Sequence, residues 1–245
     1  MQVRQVSKRV RVKADAGWAS FAGLVVACHS CPYLTNTHVN PAASSPPHLL
    51  VFAREPVLGK VKTRLAAGIG VEEALVVYRE LLALTAAAVV AAQVPATVWL
   101  ADAPTGADPL QSRPEWPGLP WRVQPATGAL GARMAQAFVE ALGAGAGRVV
   151  IIGTDCPGLN AGLLHQAFDR LLDHDLVVGP ADDGGYYLLG MKQLHPELFD
   201  NKTWSTATVL PDTLADAARL GLRVARLPTL HDVDSDQDLA TWRGR

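Results

Sequence analysis

The chain has 245 residues, of which 49% are hydrophobic and 18% are charged, and its formal net charge is −1. This apolar fraction supplies a sizeable core and excludes wholesale disorder. The near-neutral charge argues against a general nucleic-acid binder. Because no run of about 18 uninterrupted apolar residues occurs, we predict no membrane-spanning helix.

The first 48 residues differ in charge from the remainder. They hold five basic residues and one acid, whereas residues 49–245 hold 17 basic and 22 acidic residues. A stretch rich in Pro and Ser follows at 41–47, a composition that disfavours regular structure. We therefore predict a disordered N-terminal extension at 1–48 and a functional domain at 49–245. Two alternatives for the extension are a lipoprotein-type leader ending at Cys28 and a metal site at Cys28 and Cys31.

Beyond residue 48, short apolar runs alternate with longer segments that have helical spacing. The short runs predict buried strands, and the longer segments predict helices. In chain order we predict a strand at 48–54, a loop rich in glycine and basic residues at 55–70, a helix at 72–93, a strand at 96–101, a loop with five prolines at 103–120, a strand at 121–124, a helix at 131–142, a strand at 148–153, a helix at 163–174, strands at 176–179 and 186–190, a helix at 206–220, a strand at 223–226 and a last helix that Ser235 caps.

Strands that alternate with helices predict an α/β fold of three layers. In this α/β/α arrangement a mainly parallel mixed sheet is covered by helices on both faces. Ligands of such sheets bind beyond the carboxyl ends of the strands. Polar residues follow the predicted strands at 48–54, 148–153 and 176–179, so we expect the functional site at that edge.

The loop after the first of these strands carries several cations, from Arg54 to Arg64. Lys60, Lys62 and Arg64 alternate along the chain, so an extended loop would direct them to one side. Gly59 permits a positive φ or a close approach of the backbone. Converging basic side chains beside backbone N–H groups suit a di- or triphosphate. The alternative is a solvated basic loop that binds nothing.

The motif Gly-Thr-Asp-Cys-Pro at 153–157 follows the most apolar predicted strand. Asp155 can bind Mg²⁺ or Mn²⁺, hard cations that also hold phosphate oxygens. The alternative is a turn aspartate that caps the next helix. No histidine is close in sequence to Cys156, so we interpret this cysteine as structural. Because it is the single cysteine of residues 49–245, no internal disulfide is available there, which fits the reducing cytoplasm.

Two adjacent acids, Asp182 and Asp183, precede Gly184 and Gly185 between two predicted strands. Adjacent carboxylates repel each other unless a cation or basic groups compensate them. The glycines leave room for a ligand or for a tight turn, and a plain hairpin turn is the alternative. Together with the basic loop and Asp155, this segment predicts a site for a metal ion and a nucleotide.

Four motifs resemble those of a bacterial family whose members are regarded as glycosyltransferases. The family was long described as a domain of unknown function, and some members are linked to arsenosugar biosynthesis. The four motifs run in the expected order from Phe52 to Leu65, from Gly153 to Pro157, from Asp182 to Tyr187 and from Trp204 to Thr206. The resemblance covers about residues 48–243 and implies the nucleotide-diphospho-sugar transferase (GT-A) fold. Family members tend to read Gly-Asp-Leu-Gly before Arg-Met, whereas residue 129 is alanine here.

The motifs and the resemblance together predict a metal-dependent glycosyltransferase that uses a nucleotide sugar and a small-molecule acceptor. The cofactor is Mg²⁺ or Mn²⁺. We expect Asp183 to act as general base for an acceptor hydroxyl. The predicted site comprises Arg54, Gly59, Lys60, Lys62 and Arg64 for the nucleotide phosphates, Asp155 and Asp182 for the metal, Asp182 and Asp183 for catalysis, and Gly184, Gly185, Tyr186 and Trp204 on the acceptor side, although Trp204 could equally be a core indole.

Two other functions stay open. A nucleotidyltransferase would join an NTP to a phosphorylated metabolite and release pyrophosphate, since Lys-x-x-x-Arg at 60–64 resembles phosphate loops of guanylyl- and cytidylyltransferases of this fold. A nucleotide-binding protein without turnover is suggested by the missing acid at Ala129. The segment 231–239 resembles the ending of nucleotidyltransferases, so Asp232 or Asp234 could approach the metal, unless these acids only cap the last helix.

Overall fold

The computed structural model describes residues 10–14, 17–21, 46–102 and 113–244, and for the first two ranges it describes the backbone alone. The chain divides into two units, Met1–Val39 and Asn40–Arg245. In the first unit, β1 (Val10–Ala14) and β2 (Gly17–Phe21) pair as antiparallel strands, which the sequence did not predict. The disordered extension stays a prediction, and both alternatives at Cys28 and Cys31 lie outside the described residues.

The second unit contains the remaining helices and strands of the described residues. Its strands are β3 (Pro47–Arg54), β4 (Ala96–Ala101), β5 (Trp121–Val123), β6 (Arg148–Ile152), β7 (Leu176–Pro180), β8 (Tyr186–Met191) and β9 (Val224–Arg226). Its α-helices are α1 (Thr63–Ile69), α2 (Val71–Ala92), α3 (Leu130–Gly143), α4 (Ala161–Asp173), α5 (Val209–Arg219) and α6 (Asp236–Arg243). A 3₁₀ turn occupies Pro196–Leu198. Ser235 caps α6 in a capping box with Asp238, as predicted.

Seven strands form one sheet in the order β5-β4-β3-β6-β8-β7-β9. Strand β8 is antiparallel to both of its neighbours, and the other neighbouring pairs are parallel. The predicted mainly parallel mixed sheet is therefore confirmed. Strand β3 lies at the centre of the parallel part, where Val51 is opposite Val98 on β4 and Ile152 on β6.

Helices cover both faces of this sheet. Because side chains alternate along a strand, Val51 packs with α2 and α4, whereas Leu50 packs with α3 and α5. Both side chains are almost completely buried. The predicted three layers are thus confirmed, and their cores are separated by the sheet.

Helix α2 is long and apolar enough, by length and composition, to cross a membrane. Half of its most apolar window is nevertheless buried inside the protein. Tyr78 and Leu82 pack on the sheet, while Val77 and Leu81 belong to a second cluster with Val233, which precedes α6. The place of α2 in the core therefore explains the buried half of this apolar surface, whereas Val76 and Val90 are exposed.

The segment after β3 is not the extended loop that the sequence predicted. Lys62 has a left-handed backbone, with φ 47° and ψ 47°, and helix α1 begins at Thr63. This change of direction breaks the alternation that would have directed Lys60, Lys62 and Arg64 to one side. The short helix is stabilised by tertiary packing, since Leu65 is buried in the cluster that α2 and α6 also form.

Candidate functional site

A cavity of about 600 Å³ lies at the carboxyl edge of the parallel strands, where the sequence predicted the site. It is lined by residues at or beyond the ends of β3, β4, β5, β6 and β7, together with the beginning of α3. Of the residues predicted for the site, it is lined by Arg54, Lys62, Arg64, Asp155, Asp183, Gly185, Tyr186 and Trp204. Gly59, Lys60, Asp182 and Gly184 do not line it.

Lys62 lies among carboxylates. Its Nζ forms an ion pair with Asp155 and another, at 2.8 Å, with Asp234, and its side chain is only 5% exposed. Burial by itself would lower the pKa of this amine, but the two carboxylates outweigh it and hold the pKa above its usual range. Lys62 is therefore a fixed positive charge between two acids at the cavity wall, and its predicted contact with phosphate stays a prediction.

Four carboxylates line this part of the cavity, those of Asp155, Asp183, Asp232 and Asp234. Burial and the nearby charges of Asp183 and Asp234 raise the pKa of Asp232 to about 6. Burial and the neighbouring carboxylates both disfavour the charged form of Asp232. A cation bound beside Asp232 would favour that charged form.

The donor atoms of this cluster fit a divalent cation, because carboxylate oxygens are the ligands that Mg²⁺ and Mn²⁺ prefer. Across residues 46–102 and 113–244, however, no three His, Cys, Asp or Glu side chains are already gathered as a ligand set. The carboxylates of Asp155 and Asp234 are instead paired with Lys62. The cluster therefore offers suitable donor atoms for a metal ion, but they are not arranged as a ligand set among the described residues.

The acidic pair divides between two surroundings. Strands β7 and β8 are antiparallel neighbours, so the segment between them is a hairpin connection, as the alternative interpretation held. Asp183 lines the cavity, and its Oδ1 accepts a hydrogen bond of 2.7 Å from the Gly185 N–H. Asp182 instead places Oδ2 3.2 Å from Nδ1 of His231. Only Asp183 therefore presents its carboxylate to the cavity.

Two glycines allow the loop that carries Trp204 to approach the cavity. Gly184 has a φ of 85°, and a Cβ there would lie 2.7 Å from Cα of Ala207. A Cβ on Gly131 of α3 would lie 2.6 Å from Cε2 of the Trp204 indole. Gly184 therefore makes room for the backbone at Ala207 and not for a ligand. Trp204 packs against the core of the α3 side and also lines the cavity, so both of its interpretations have support.

The end of β3 is fixed by Tyr78 of α2. Its hydroxyl accepts a hydrogen bond of 2.9 Å from the Arg54 N–H and donates one of 3.2 Å to the Arg54 carbonyl. Burial raises the pKa of Tyr78 to about 12, so the hydroxyl keeps its proton. The Arg54 guanidinium lies 3.3 Å from Asp102 and remains largely exposed at the cavity rim.

Cys156 is a buried thiol. Burial, together with the charges of Asp155 and Asp232, raises the pKa of its thiol well above the usual range. A neutral thiol is a poor nucleophile. The environment therefore supports the structural role predicted for this cysteine.

Gln124 and Arg133 also line the cavity, although the sequence had assigned them no role. Gln124 follows β5, and its side chain accepts a 2.8 Å hydrogen bond from Nη1 of Arg133 in α3. Arg133 lies within the stretch that resembles the family at Arg-Met, which is the signal that could have singled it out. For Gln124 the sequence contains no comparable signal.

The bacterial family described as "Uncharacterized protein conserved in bacteria (DUF2064)" matches residues 85–206. Among solved structures, a "putative nucleotide-diphospho-sugar transferase" from Desulfovibrio desulfuricans G20 is 31% identical, with a TM-score of 0.74 over 82% of this chain and 87% of that one. This similarity confirms the predicted nucleotide-diphospho-sugar transferase fold. No curated protein matches the chain in sequence.

Two more distant structures share the fold alone. Rv0371c from Mycobacterium tuberculosis H37Rv, in complex with manganese, is 16% identical, with a TM-score of 0.50 over 82% of this chain and 99% of that one. The 4-diphosphocytidyl-2C-methyl-D-erythritol synthase from Anaerococcus prevotii DSM 20548 is 9% identical, with a TM-score of 0.51 over 82% of this chain and 97% of that one.

Proposed function

We propose that this chain, which belongs to the bacterial DUF2064 family, is a divalent-metal-dependent glycosyltransferase that moves a sugar from a nucleotide to a small-molecule acceptor. One observation carries the proposal: basic side chains and four carboxylates converge on one cavity at the carboxyl edge of the sheet. Basic side chains suit the phosphates of a nucleotide, and carboxylates suit a metal ion that accompanies them.

Basic groups at the end of β3 and at the beginning of α1 would hold the diphosphate. Arg64 lies in the first turn of α1 and lines the cavity together with Arg54. We propose that Lys62 positions Asp155 and Asp234, because it forms ion pairs with both carboxylates between the basic groups and the acidic cluster. Gly59, Lys60 and Asp182 do not line the cavity, so we assign them no contact with substrate.

The acidic cluster would hold Mg²⁺ or Mn²⁺ through Asp155 and Asp234, with Asp232 close by. Such a cation supplies positive charge for the departing diphosphate. We assign Asp183 to the acceptor, whose hydroxyl proton its carboxylate would take as general base. The hydrogen bond from Gly185 holds that carboxylate in place. The Trp204 ring would form a wall for the acceptor on the same side.

The test is product analysis with the purified full chain and Mn²⁺. Nucleotide sugars and NTPs are supplied in turn with candidate acceptors, and free nucleoside diphosphate and pyrophosphate are measured separately. We expect release of nucleoside diphosphate that stops on chelation. Asp183→Asn should abolish it, whereas the control Asp169→Asn, at an exposed position on α4, should not. Full activity after exhaustive chelation, or in Asp183→Asn, would contradict the proposal.

A nucleotidyltransferase is the second candidate. It is favoured by the shared fold with the Anaerococcus protein, whose name describes a diphosphocytidyl product. The same bases and acids would then face an NTP, and the product assay would show pyrophosphate in place of nucleoside diphosphate. A binding protein without turnover would release neither product, while Asp183→Asn would leave its nucleotide affinity unchanged.

We also propose that the enzyme is cytoplasmic. Its buried Cys156 is a free thiol, as reducing conditions maintain. About half of the most apolar window of α2 is buried, where residues such as Leu82 and Leu81 pack on the sheet and with α1.

A further inference from the structure

Arg133 presents its guanidinium to the cavity and takes no part in the ion pairs of the acidic cluster, which involve Lys62. Its Nη1 donates to Gln124, while its Nε is buried and has no hydrogen-bond partner within the described part of the chain. Among the described residues it has no carboxylate partner either. An arginine that lines a cavity without a counter-ion retains donor capacity for a ligand.

The orientation of Arg133 is imposed through Gln124. The buried Gln124 amide nitrogen donates to the Trp99 carbonyl at 2.9 Å and lies 3.4 Å from the Ala53 carbonyl. Because both partners are acceptors, the nitrogen must face them and Oε1 must face Arg133. The guanidinium is therefore anchored, through one amide, to the backbones of β4 and β3.

The surroundings of Arg133 differ from those of Lys62. Near the beginning of α3 the cavity wall is apolar and includes Phe52, Leu130 and Met134. Phe52 in turn stacks on Trp99, with ring centroids 6.1 Å apart. Apolar walls with one group of fixed donors suit a flat heterocycle better than a phosphate.

Both environments belong to one cavity of about 600 Å³, a volume typical of a site for one small-molecule ligand. Lys62 is paired with Asp155 in the acidic cluster, whereas Arg133 is held by Gln124 at the carbonyls of Trp99 and Ala53. One ligand could therefore place its phosphates near Lys62 and a heterocycle near Arg133.

We propose that Arg133 recognises the base of the nucleotide and selects guanine or cytosine over adenine and uracil. This inference rests on the proposed function, which supplies the nucleotide. Arginine offers only donors, so it pairs best with two neighbouring acceptors. Guanine has these at O6 and N7, and cytosine has them at O2 and N3. Adenine places an amino donor beside N7, and uracil places an N–H between its carbonyls. Gln124 is a positioning residue in this scheme and need not touch the base.

The test is a comparison of nucleotide affinities by calorimetry on the purified full chain with Mn²⁺. GDP, CDP, ADP and UDP are titrated separately. We expect either GDP or CDP to bind about tenfold or more tightly than ADP and UDP, the discrimination of one bidentate pair. Comparing the affinities for GDP and CDP decides whether guanine or cytosine is the preferred base.

Two variants separate base recognition from a structural role. Arg133→Met keeps an unbranched apolar stem and removes the donors, so the affinity for GDP or CDP should fall to that for ADP and UDP. Gln124→Met should reduce the same selectivity in part. The control is Arg122→Met, since Arg122 pairs with Glu140 and does not line this cavity; its selectivity should equal that of the wild type. Thermal unfolding of each variant checks that the fold is retained.

Three outcomes would overturn the inference. If folded Arg133→Met lost affinity equally for all four nucleotides, the guanidinium would bind phosphate and not the base. Tightest binding of ADP or UDP, or a selectivity unchanged in Arg133→Met, would remove its role in base choice. In these cases the proposed function would stand. If none of the four nucleotides bound to the wild type, the proposed function would fail as well.

Discussion

Ala129 is the position at which replacement by aspartate should stabilise the chain. It is the N-cap of α3, with φ −63° and ψ 163°, and its side chain makes no capping hydrogen bond. The residue is exposed, so a carboxylate there would remain hydrated. The motif that the sequence resembles has aspartate here, and an aspartate at this N-cap would accept hydrogen bonds from free N–H groups of the first turn.

The expected gain has two parts. An N-cap aspartate in place of alanine contributes about 1 kcal/mol, and its charge at the positive end of the helix dipole adds about 0.3–0.5 kcal/mol. At about 2–4 °C per kcal/mol for a unit of this size, the melting temperature of Ala129→Asp should rise by roughly 3–6 °C. Reversible urea unfolding at pH 7 and low salt measures the free energy directly.

A matched control lies at the other end of the same helix. Ala144 is the exposed C-cap of α3, so Ala144→Asp adds the same charge at the negative end of the dipole. We expect it to lower the unfolding free energy by a few tenths of a kcal/mol. The capping argument is refuted if Ala129→Asp is no more stable than the wild type, or if both substitutions stabilise the chain equally.

Three further predictions concern the walls of the cavity. Gly131→Ala places its Cβ 2.8 Å from the Phe199 carbonyl oxygen, so urea unfolding should show a loss of about 1–3 kcal/mol; an unchanged midpoint would contradict the close packing. Tyr78→Phe removes the hydroxyl that bridges the backbone of Arg54, and it should cost about 1–3 kcal/mol in the same assay; a neutral effect would mean that water replaces the hydroxyl. The pKa of Asp232 is about 6 in the folded chain, above its unfolded value of about 4, so the folded state binds more protons and this group lowers the unfolding free energy as pH rises from about 4 to 6. Asp232→Asn should remove that part of the pH dependence, and an identical pH profile in the variant would refute the assignment.

The sequence by itself determined the layers and the edge at which the site lies. Strands buried on both faces leave continuous apolar runs, so β3 and β6 were visible as local patterns. The alternation of such runs with helical segments predicted the parallel sheet, and the rule on carboxyl ends directed attention to Asp155 and Asp183. Both residues line the cavity.

Only the tertiary structure decided which partners these residues have. Lys62 pairs with Asp234, which is 172 residues away in sequence, and its left-handed backbone depends on the packing of a short helix. Asp182 and Asp183 are identical neighbours in sequence, yet the hairpin directs one towards His231 and the other towards the cavity.

The Gln124–Arg133 pair shows the physical reason most clearly. A glutamine after a short strand has no local pattern, and its meaning comes from two backbone carbonyls on neighbouring strands that fix its amide. Periodicity reports which side of an element is buried, because burial acts on each residue separately. Hydrogen bonds and ion pairs depend on two groups at once, so they are decided when the folded chain brings distant segments together.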